Sequence, residues 1–224
     1  MKPSLPAVLT LNAGYVDAAG FLALQGLFSA HVTGNFVTLA ASLVHGSTGA
    51  LSKLLALPVF CLAVIATRFI SVALAARSLS RLRPLLALKI ALLALACVFA
   101  VRLGPFADAD SPAAILTGMM LVAAMGVQNA VGRMHLASYP PTTVMTLTTT
   151  QVMLDLADVM RGVAGAEAET LKPRFRRMAV SVVGFALGCG LAAAFYYFAG
   201  MWCFAIPPLI ACAGLTLGEA DGTA

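Results

Sequence analysis

One carboxylic acid, Asp17, stands inside an apolar stretch near the start of the chain. In hydrocarbon an ionised carboxylate must be paired, protonated or hydrated, so such a residue is a candidate for coupling a proton to a solute. Arg68, which lies well inside another apolar stretch, is its natural partner. The same two side chains would also suit a structural clamp between helices, and the sequence leaves both roles open.

The surroundings of this carboxylate recur later in the chain. Gly14-Tyr-Val-Asp17-Ala-Ala-Gly20 returns 112 positions later as Gly126-Val-Gln-Asn129-Ala-Val-Gly132. Asn129, beside Gln128, offers hydrogen bonds where Asp17 offers a charge, and it cannot titrate. Glycines at such positions allow helices to approach closely, or expose backbone where a helix is broken. Gly184 and Gly188 form a further G-x-x-x-G packing pattern.

A second group of polar residues, His31-Val-Thr33-Gly34-Asn35, follows the first apolar stretch. Thr33 or Asn35 can cap a following short helix, whose free backbone N–H groups would then favour an anion or a carbonyl oxygen. A tight turn with an ordinary helix cap explains the same composition. His31 fits either a pH-sensitive gate or an interfacial histidine with no function.

The third group is a stripe in the second half of the chain. Thr148, Gln151, Asp155 and Asp158 follow spacings of three and four, which places them on one helical face. The stripe would line a hydrophilic pathway or face water from an amphipathic surface helix. Thr146 belongs to the threonine-rich start of the same segment, where hydroxyl groups can satisfy backbone carbonyls.

Composition assigns the chain to the membrane. Of its 224 residues 61% are hydrophobic and 10% are charged, against about 45–50% and about 25% in soluble domains. The net charge of +5 follows from basic residues that flank apolar segments, so no nucleic-acid partner is expected. The five cysteines lack metal-site spacing, and no metal or cofactor is expected.

The elements that position these residues are apolar runs of about 20 residues, the length that spans a bilayer. The candidate spanning helices are residues 5–29, 54–77, 84–103, 112–138, 174–198 and 200–218. Segments 33–45 and 142–163 are too short or too polar to be ordinary spanning helices. Six crossings place ten of the fourteen Lys and Arg residues on one face, which the positive-inside rule identifies as cytoplasmic, with both termini on that side.

This arrangement predicts an all-α polytopic membrane bundle in a single integral membrane domain, residues 1–224. Its six helices would form two inverted three-helix repeats, approximately residues 1–107 and 112–218. Each repeat would add a short interrupted or re-entrant helix, allowed in a membrane only where protein or water satisfies its backbone.

The chain also resembles a known family. Gly14-Tyr-Val-Asp17-Ala-Ala-Gly20-Phe-Leu-Ala-Leu, Phe28-Ser-Ala-His31-Val-Thr33-Gly34-Asn35 and Gln128-Asn129-Ala are similar to the signature of YoaK-like bacterial proteins, the domain-of-unknown-function 1275 family. The resemblance covers essentially the full chain and implies a multi-pass inner-membrane protein without an assigned substrate. Where that pattern implies a T-G-[N/T] element in the second half, this chain has Thr146-Leu147-Thr148.

Three kinds of function remain open from the sequence. The leading one is a small-solute transporter with Asp17, Arg68 and Asn129 near the midplane and the two short segments as gates. A channel would use Thr33, Asn35 and Thr146 as a constriction, and a scaffold or assembly factor would transport nothing. No enzyme active-site pattern is present in the sequence, and small-residue faces permit a homodimer.

Overall fold

The fold is entirely helical across residues 4–162 and 166–220, the part of the chain that the computed structural model describes; side chains 166–168 and 218–220 are not covered. No β-strand occurs in these ranges. The helices are α1 (Leu5–Ala23), α2 (Gly34–His45), α3 (Ala50–Ala76), α4 (Leu82–Leu103), α5 (Pro112–His135), α6 (Met145–Met160), α7 (Ala166–Ala199), a short 3₁₀ helix (Gly200–Ala205) and α8 (Ile206–Ala220).

Five helical segments of the described chain are long and apolar enough to cross a membrane: Leu5–Ala23, Ala50–Ala76, Leu82–Leu103, Pro112–His135 and Glu169–Leu217. Several long apolar helices of this kind are characteristic of a multi-pass membrane protein. The segments expected at 174–198 and 200–218 fall together in the last of these. The count of six separate spanning helices therefore does not follow from helix length and hydropathy alone.

Contacts along α1 define how the last two helices run. Cys189 Sγ lies 3.3 Å from the carbonyl oxygen of Gly14, and a Cβ at Gly184 would lie 4.0 Å from the carbonyl oxygen of Ala7, so α7 runs parallel to α1. In α8 the direction is opposite, because Gly214 contacts Leu5 and the Tyr15 hydroxyl donates to the carbonyl of Cys203 in the preceding 3₁₀ helix. Gly200, at φ +55°, lies where the chain reverses.

The two motif-bearing helices, α1 and α5, run antiparallel. Gly118 near the start of α5 lies against Leu24 and Leu27, just after the end of α1, while Gln128 near the end of α5 donates to the carbonyl of Leu9. α3 runs parallel to α5, since Phe60 lies beside Gly126 and Arg68 contacts Met134.

The bundle has two distinct ends. At one, Ser4, Tyr139 and Arg177 line a common surface depression, and we call this the basic end. At the opposite end Gln25 donates to the carbonyl of Ala107, and the Asp110 carboxylate accepts from the backbone N–H of Gly49. A buried apolar core fills the space between the two ends. α1 and α5 lie at its centre, since 67% of the residues in the apolar stretch of each helix are buried.

The first helix is shorter than the expected 5–29. It ends at Ala23, and the chain then turns back through Gln25 and Gly26, which both have positive φ. Gly26 adopts that conformation freely, because it has no Cβ. Residues 24–33 therefore return along α1 instead of extending it.

Candidate functional site

The returning segment wraps its backbone around Asp17. The carboxylate oxygen Oδ1 accepts hydrogen bonds from the N–H groups of Ser29 at 2.8 Å and Ala30 at 2.7 Å. Asp17 is only 4% exposed, so these donors replace the water that the carboxylate would otherwise need. One oxygen of the acid thus anchors the loop after α1.

The second oxygen of Asp17 faces a histidine. His31 Nδ1 lies 2.7 Å from Oδ2, and the imidazole ring stands edge-on to Phe185 of α7 with ring centroids 5.2 Å apart. The hydrogen bond that His31 donates to Asp17 raises the pKa of His31 above its usual value, and the charge of the carboxylate adds to this, although partial burial opposes it. The carboxylate thus contacts a titratable imidazole that can hold or release a proton.

This pair lies at the wall of a pocket of about 710 Å³ between α1, the returning loop and α7. Apolar side chains provide most of the lining, among them Phe21, Phe28 and Phe185. A mostly apolar pocket with few convergent polar groups is typical of a small-molecule site. We call it the Asp17 pocket.

The polar residues after His31 do not cap α2 with their side chains, as the sequence suggests they would. Thr33 and Gly34 line the Asp17 pocket, but the Thr33 side chain makes no capping hydrogen bond to α2. The N–H groups of Gly34 and Asn35 already donate to the carbonyls of His31 and Val32. Those two donors are therefore not free for an anion, which favours the alternative of a tight turn at this helix start.

Asn35 is buried and holds the loop closed. Its amide accepts from the N–H of Phe28 at 2.9 Å and donates to the carbonyl of the same residue at 2.7 Å. Both ends of the side chain are committed to the loop backbone. Asn35 is thus a loop clamp, and its amide is not free to line a channel constriction.

The second half contains a related loop contact without a charge. Thr143 donates to the side-chain carbonyl of Asn129 at 2.7 Å, and Gln128 donates to Thr142 at 2.9 Å. Asn129 and Thr143 lie 112 positions after Asp17 and His31. The structure thus pairs the two motif residues with two loop residues at the same separation, and only the first pair can titrate.

Arg68 does not contact Asp17, so the expected ion pair is wrong. Its guanidinium lies 3.8 Å from the Met134 sulfur, in a separate pocket of about 380 Å³ between α3 and α5, which we call the Arg68 pocket. Asn129 lines the Arg68 pocket, whereas Asp17 lines the other. The three candidates expected at one midplane site therefore divide between two pockets, because each motif helix packs against a different partner.

Lining residues of the two pockets correspond in sequence. From α1 to α5 the separation is 112 and from α3 to α7 it is 125. The corresponding lining residues are Asp17 and Asn129, Ala18 and Ala130, Phe21 and Arg133, Leu22 and Met134, Phe185 and Phe60, Cys189 and Val64, Ala193 and Arg68. The pockets share a geometry and differ in charge: one has an acid with an imidazole, the other two guanidinium groups.

The polar stripe of the second half faces into the protein. Within α6, Thr148 and Asp155 are buried, and Asp155 is held by Arg174 of α7 at 2.6 Å and by Gln151 at 2.7 Å. The hydrogen bond from Arg174 holds the pKa of Asp155 below its usual value, and the hydrogen bond from Gln151 adds a smaller effect. The outward side of α6 carries exposed apolar residues such as Leu147 and Met160.

This orientation is the reverse of a water-facing surface helix, so that alternative is wrong for Thr148, Gln151 and Asp155. Asp158 is partly exposed and pairs with Arg161 at 3.6 Å. Thr146, at the start of α6, is exposed, and its carbonyl accepts from Thr150. Residue 163, the end of the expected segment 142–163, lies outside the described residues.

Sequence patterns do not identify Lys89 as a buried lysine. Its side chain on α4 is fully buried, and its amino group donates to the side-chain carbonyl of Gln128. Gln128 in turn donates to the carbonyl of Leu9 at 2.9 Å. The position of Lys89 only two turns inside an apolar segment was the available signal, but such a lysine usually extends to the membrane surface.

The motif glycines differ in how tightly they pack. A Cβ added at Gly14 would lie 2.1 Å from the carbonyl oxygen of Phe185. One added at Gly188 would lie 2.1 Å from the carbonyl oxygen of Leu11, and one added at Gly126 would lie 2.8 Å from the Cβ of Ala63. At Gly20 and Gly184 it would meet ordinary contacts at 3.4 and 4.0 Å. A Cβ at Gly132 would have no described atom within 4 Å, so the packing role expected for this glycine is wrong.

No group of three or more His, Cys, Asp or Glu side chains in residues 4–162 and 169–217 is placed to hold a metal ion. The family model described as "Protein of unknown function (DUF1275)" matches residues 5–217. Neither a curated protein nor a solved structure matches the chain.

Proposed function

The chain belongs to the DUF1275 family, and from this premise we propose that it is a proton-linked membrane transporter for small solutes that carry an apolar body and a positive charge. The observation that carries the proposal is the Asp17–His31 pair at the wall of a largely apolar pocket. A carboxylate that shares one pocket with a titratable imidazole and aromatic rings offers a site for a cation and a site for a proton.

In this proposal the imidazolium of His31 and the cationic group of the solute compete for Oδ2 of Asp17. When His31 is protonated, its imidazolium neutralises Asp17 Oδ2 at 2.7 Å. When the imidazolium loses its proton to solvent, His31 becomes neutral and the pair keeps the negative charge of the carboxylate. That charge attracts the cationic group of a solute, while Phe21, Phe28 and Phe185 cover its apolar body. Binding of the solute and binding of the proton are then mutually exclusive, as exchange of one for the other requires.

The proposal includes two inverted repeats, approximately residues 1–107 and 112–218, with six crossings. Support comes from the antiparallel α1 and α5, from the opposite directions of α7 and α8, and from the constant separations between the two pockets. α2 and α6 then act as re-entrant helices entering from opposite faces. In this arrangement the basic end and both termini face the cytoplasm of a bacterial cell, and the chain lies in the inner membrane.

Flux through liposomes tests this function. Purified full-length protein is reconstituted with trapped pyranine, and tetraphenylphosphonium is the probe cation. We expect saturable probe movement with proton counterflow, loss of both in Asp17→Asn, and loss of pH dependence in His31→Gln. Asp158→Asn is the matched control, because that carboxylate is partly exposed on α6 and pairs with Arg161. Uncoupled conductance, or equal flux in Asp17→Asn and wild type, would contradict exchange.

A second candidate, a non-transporting scaffold or assembly factor, is favoured by the hydrogen bonds that Oδ1 of Asp17 accepts from the loop backbone. This role requires the hydrogen bonds between Asp17 and the loop backbone, and it does not require protonation of His31. It predicts that Asp17→Asn lowers the melting temperature or partner binding while neither form moves the probe.

A further inference from the structure

The Arg68 pocket is a groove on the side of the bundle between α3 and α5. Arg68 and Arg133 provide its charge, and Phe60, Val64 and Met134 provide apolar walls. At the corresponding positions the Asp17 pocket has Ala193 and Phe21, so the two arginines are specific to this groove.

Neither guanidinium group has a counter-ion among the described side chains, residues 4–162 and 169–217. In that part of the chain Arg68 makes one side-chain hydrogen bond, to the Met134 sulfur, and Arg133 makes neither a salt bridge nor a side-chain hydrogen bond. Two unpaired cations at one groove repel each other and attract an anion. An arginine within a spanning helix also needs a polar partner to offset its removal from water.

The groove opens toward lipid. On α3 the neighbours Ile65 and Phe69 are 51% and 70% exposed, as expected of side chains that face acyl chains. The groove lies toward the basic end, since Arg133 is in the last turn of α5 and Arg68 is in the carboxyl-terminal half of α3. On the positive-inside assignment that end meets the cytoplasmic leaflet, where anionic lipids concentrate.

We propose that the Arg68 pocket binds one anionic phospholipid. The phosphodiester lies between Arg68 and Arg133, whose planar guanidinium groups match phosphate oxygens, and an acyl chain runs along Phe60 and Val64. The apolar walls and the lateral opening favour a lipid over a free phosphate ion, which has no chain to fill them. The site is separate from the Asp17 pocket and does not depend on the transport proposal.

Native mass spectrometry of the full-length protein in detergent tests the site. Phosphatidylglycerol and phosphatidylcholine of equal chain length are added in turn. We expect one phosphatidylglycerol to bind more tightly than phosphatidylcholine, and Arg68→Gln to weaken it by about tenfold, as expected for one lost charge-assisted contact. Arg161→Gln is the matched control, because Arg161 is a basic residue after α6 outside the groove.

The melting temperature without lipid shows whether each variant is folded, and if Arg68→Gln is unfolded, Arg133→Gln takes its place. Equal weakening in Arg68→Gln and Arg161→Gln would overturn the site in favour of general surface charge. Equal binding of the two lipids would also overturn it. Displacement of the lipid by millimolar inorganic phosphate would assign the groove to a free anion instead.

Discussion

His31 Nδ1 lies 2.7 Å from Asp17 Oδ2, although fourteen positions separate the two residues and the helix that carries Asp17 ends between them. The pair forms because the chain turns back after Ala23 and returns beside α1. The same separation joins Thr143 to Asn129 in the second half, where no titratable group remains. One duplicated loop contact is therefore ionisable and the other is neutral.

The pH dependence of stability should depend on the Asp17–His31 pair. Because the pKa of His31 is raised in the folded protein, the pair contributes its full stability below the usual histidine pKa of about 6.5 and loses it as pH rises through the raised value. Melting temperatures in detergent across this range should fall with rising pH in wild type. His31→Gln should flatten this dependence, whereas an unchanged slope would show that another group titrates.

Packing at the motif glycines should be unequal. Gly14→Ala places a Cβ 2.1 Å from the Phe185 carbonyl and should destabilise the protein by about 1–3 kcal/mol, because backbone must move. Gly132→Ala is the control, since its Cβ meets no atom within 4 Å. Unfolding in detergent, followed by circular dichroism, measures both. Equal effects of the two substitutions would contradict the close contact of α1 with α7.

Lys89 and Gln128 should be strongly coupled. Gln128→Leu leaves the buried amino group of Lys89 without its hydrogen-bond acceptor and should cost about 1–3 kcal/mol. Adding Lys89→Met should recover part of this loss, because the unsatisfied donor is then removed as well. A double-mutant cycle on thermal or denaturant unfolding measures the coupling, and additive effects would show that the two side chains do not depend on each other.

Labelling of introduced cysteines should test the re-entrant course that we propose for α2. In a background with the five native cysteines replaced, His45→Cys should react from outside intact cells with a membrane-impermeant maleimide. Arg161→Cys should react only after the membrane is opened, because it lies after α6 at the basic end, which the proposed orientation places in the cytoplasm. If α2 crossed the bilayer, position 45 would be protected from outside as well.

Hydropathy predicted the long helices closely, because a span needs about 20 apolar residues whatever its neighbours are. The expected 54–77, 84–103 and 112–138 correspond to Ala50–Ala76, Leu82–Leu103 and Pro112–His135. Hydropathy predicts that the first helix ends at residue 29, whereas α1 ends at Ala23. Residues 24–29 are apolar enough to continue a helix, and the reversal depends on backbone angles at Gln25 and Gly26 and on hydrogen bonds to Asp17.

Pairing of charges was less accessible from the sequence. Arg68 and Asp17 both lie inside apolar segments, which suggests an ion pair, but depth does not specify which helices are neighbours. α3 packs on α5 and α7 packs on α1, so Arg68 lies by Asn129 while Phe185 and Cys189 lie by Asp17. The sequence does not show that Lys89 is buried, because its hydrogen-bond partner, Gln128, lies on another helix.

By itself the sequence determined that this is a helical membrane protein of the DUF1275 family and that a motif near one carboxylate recurs 112 positions later, because composition, run length and spacing are properties of the chain alone. Only the tertiary structure decided that Asp17 faces His31, that Arg68 belongs to a second pocket, and that α6 turns its polar face inward. These contacts depend on which helices pack together and where the chain reverses, and no local pattern specifies either.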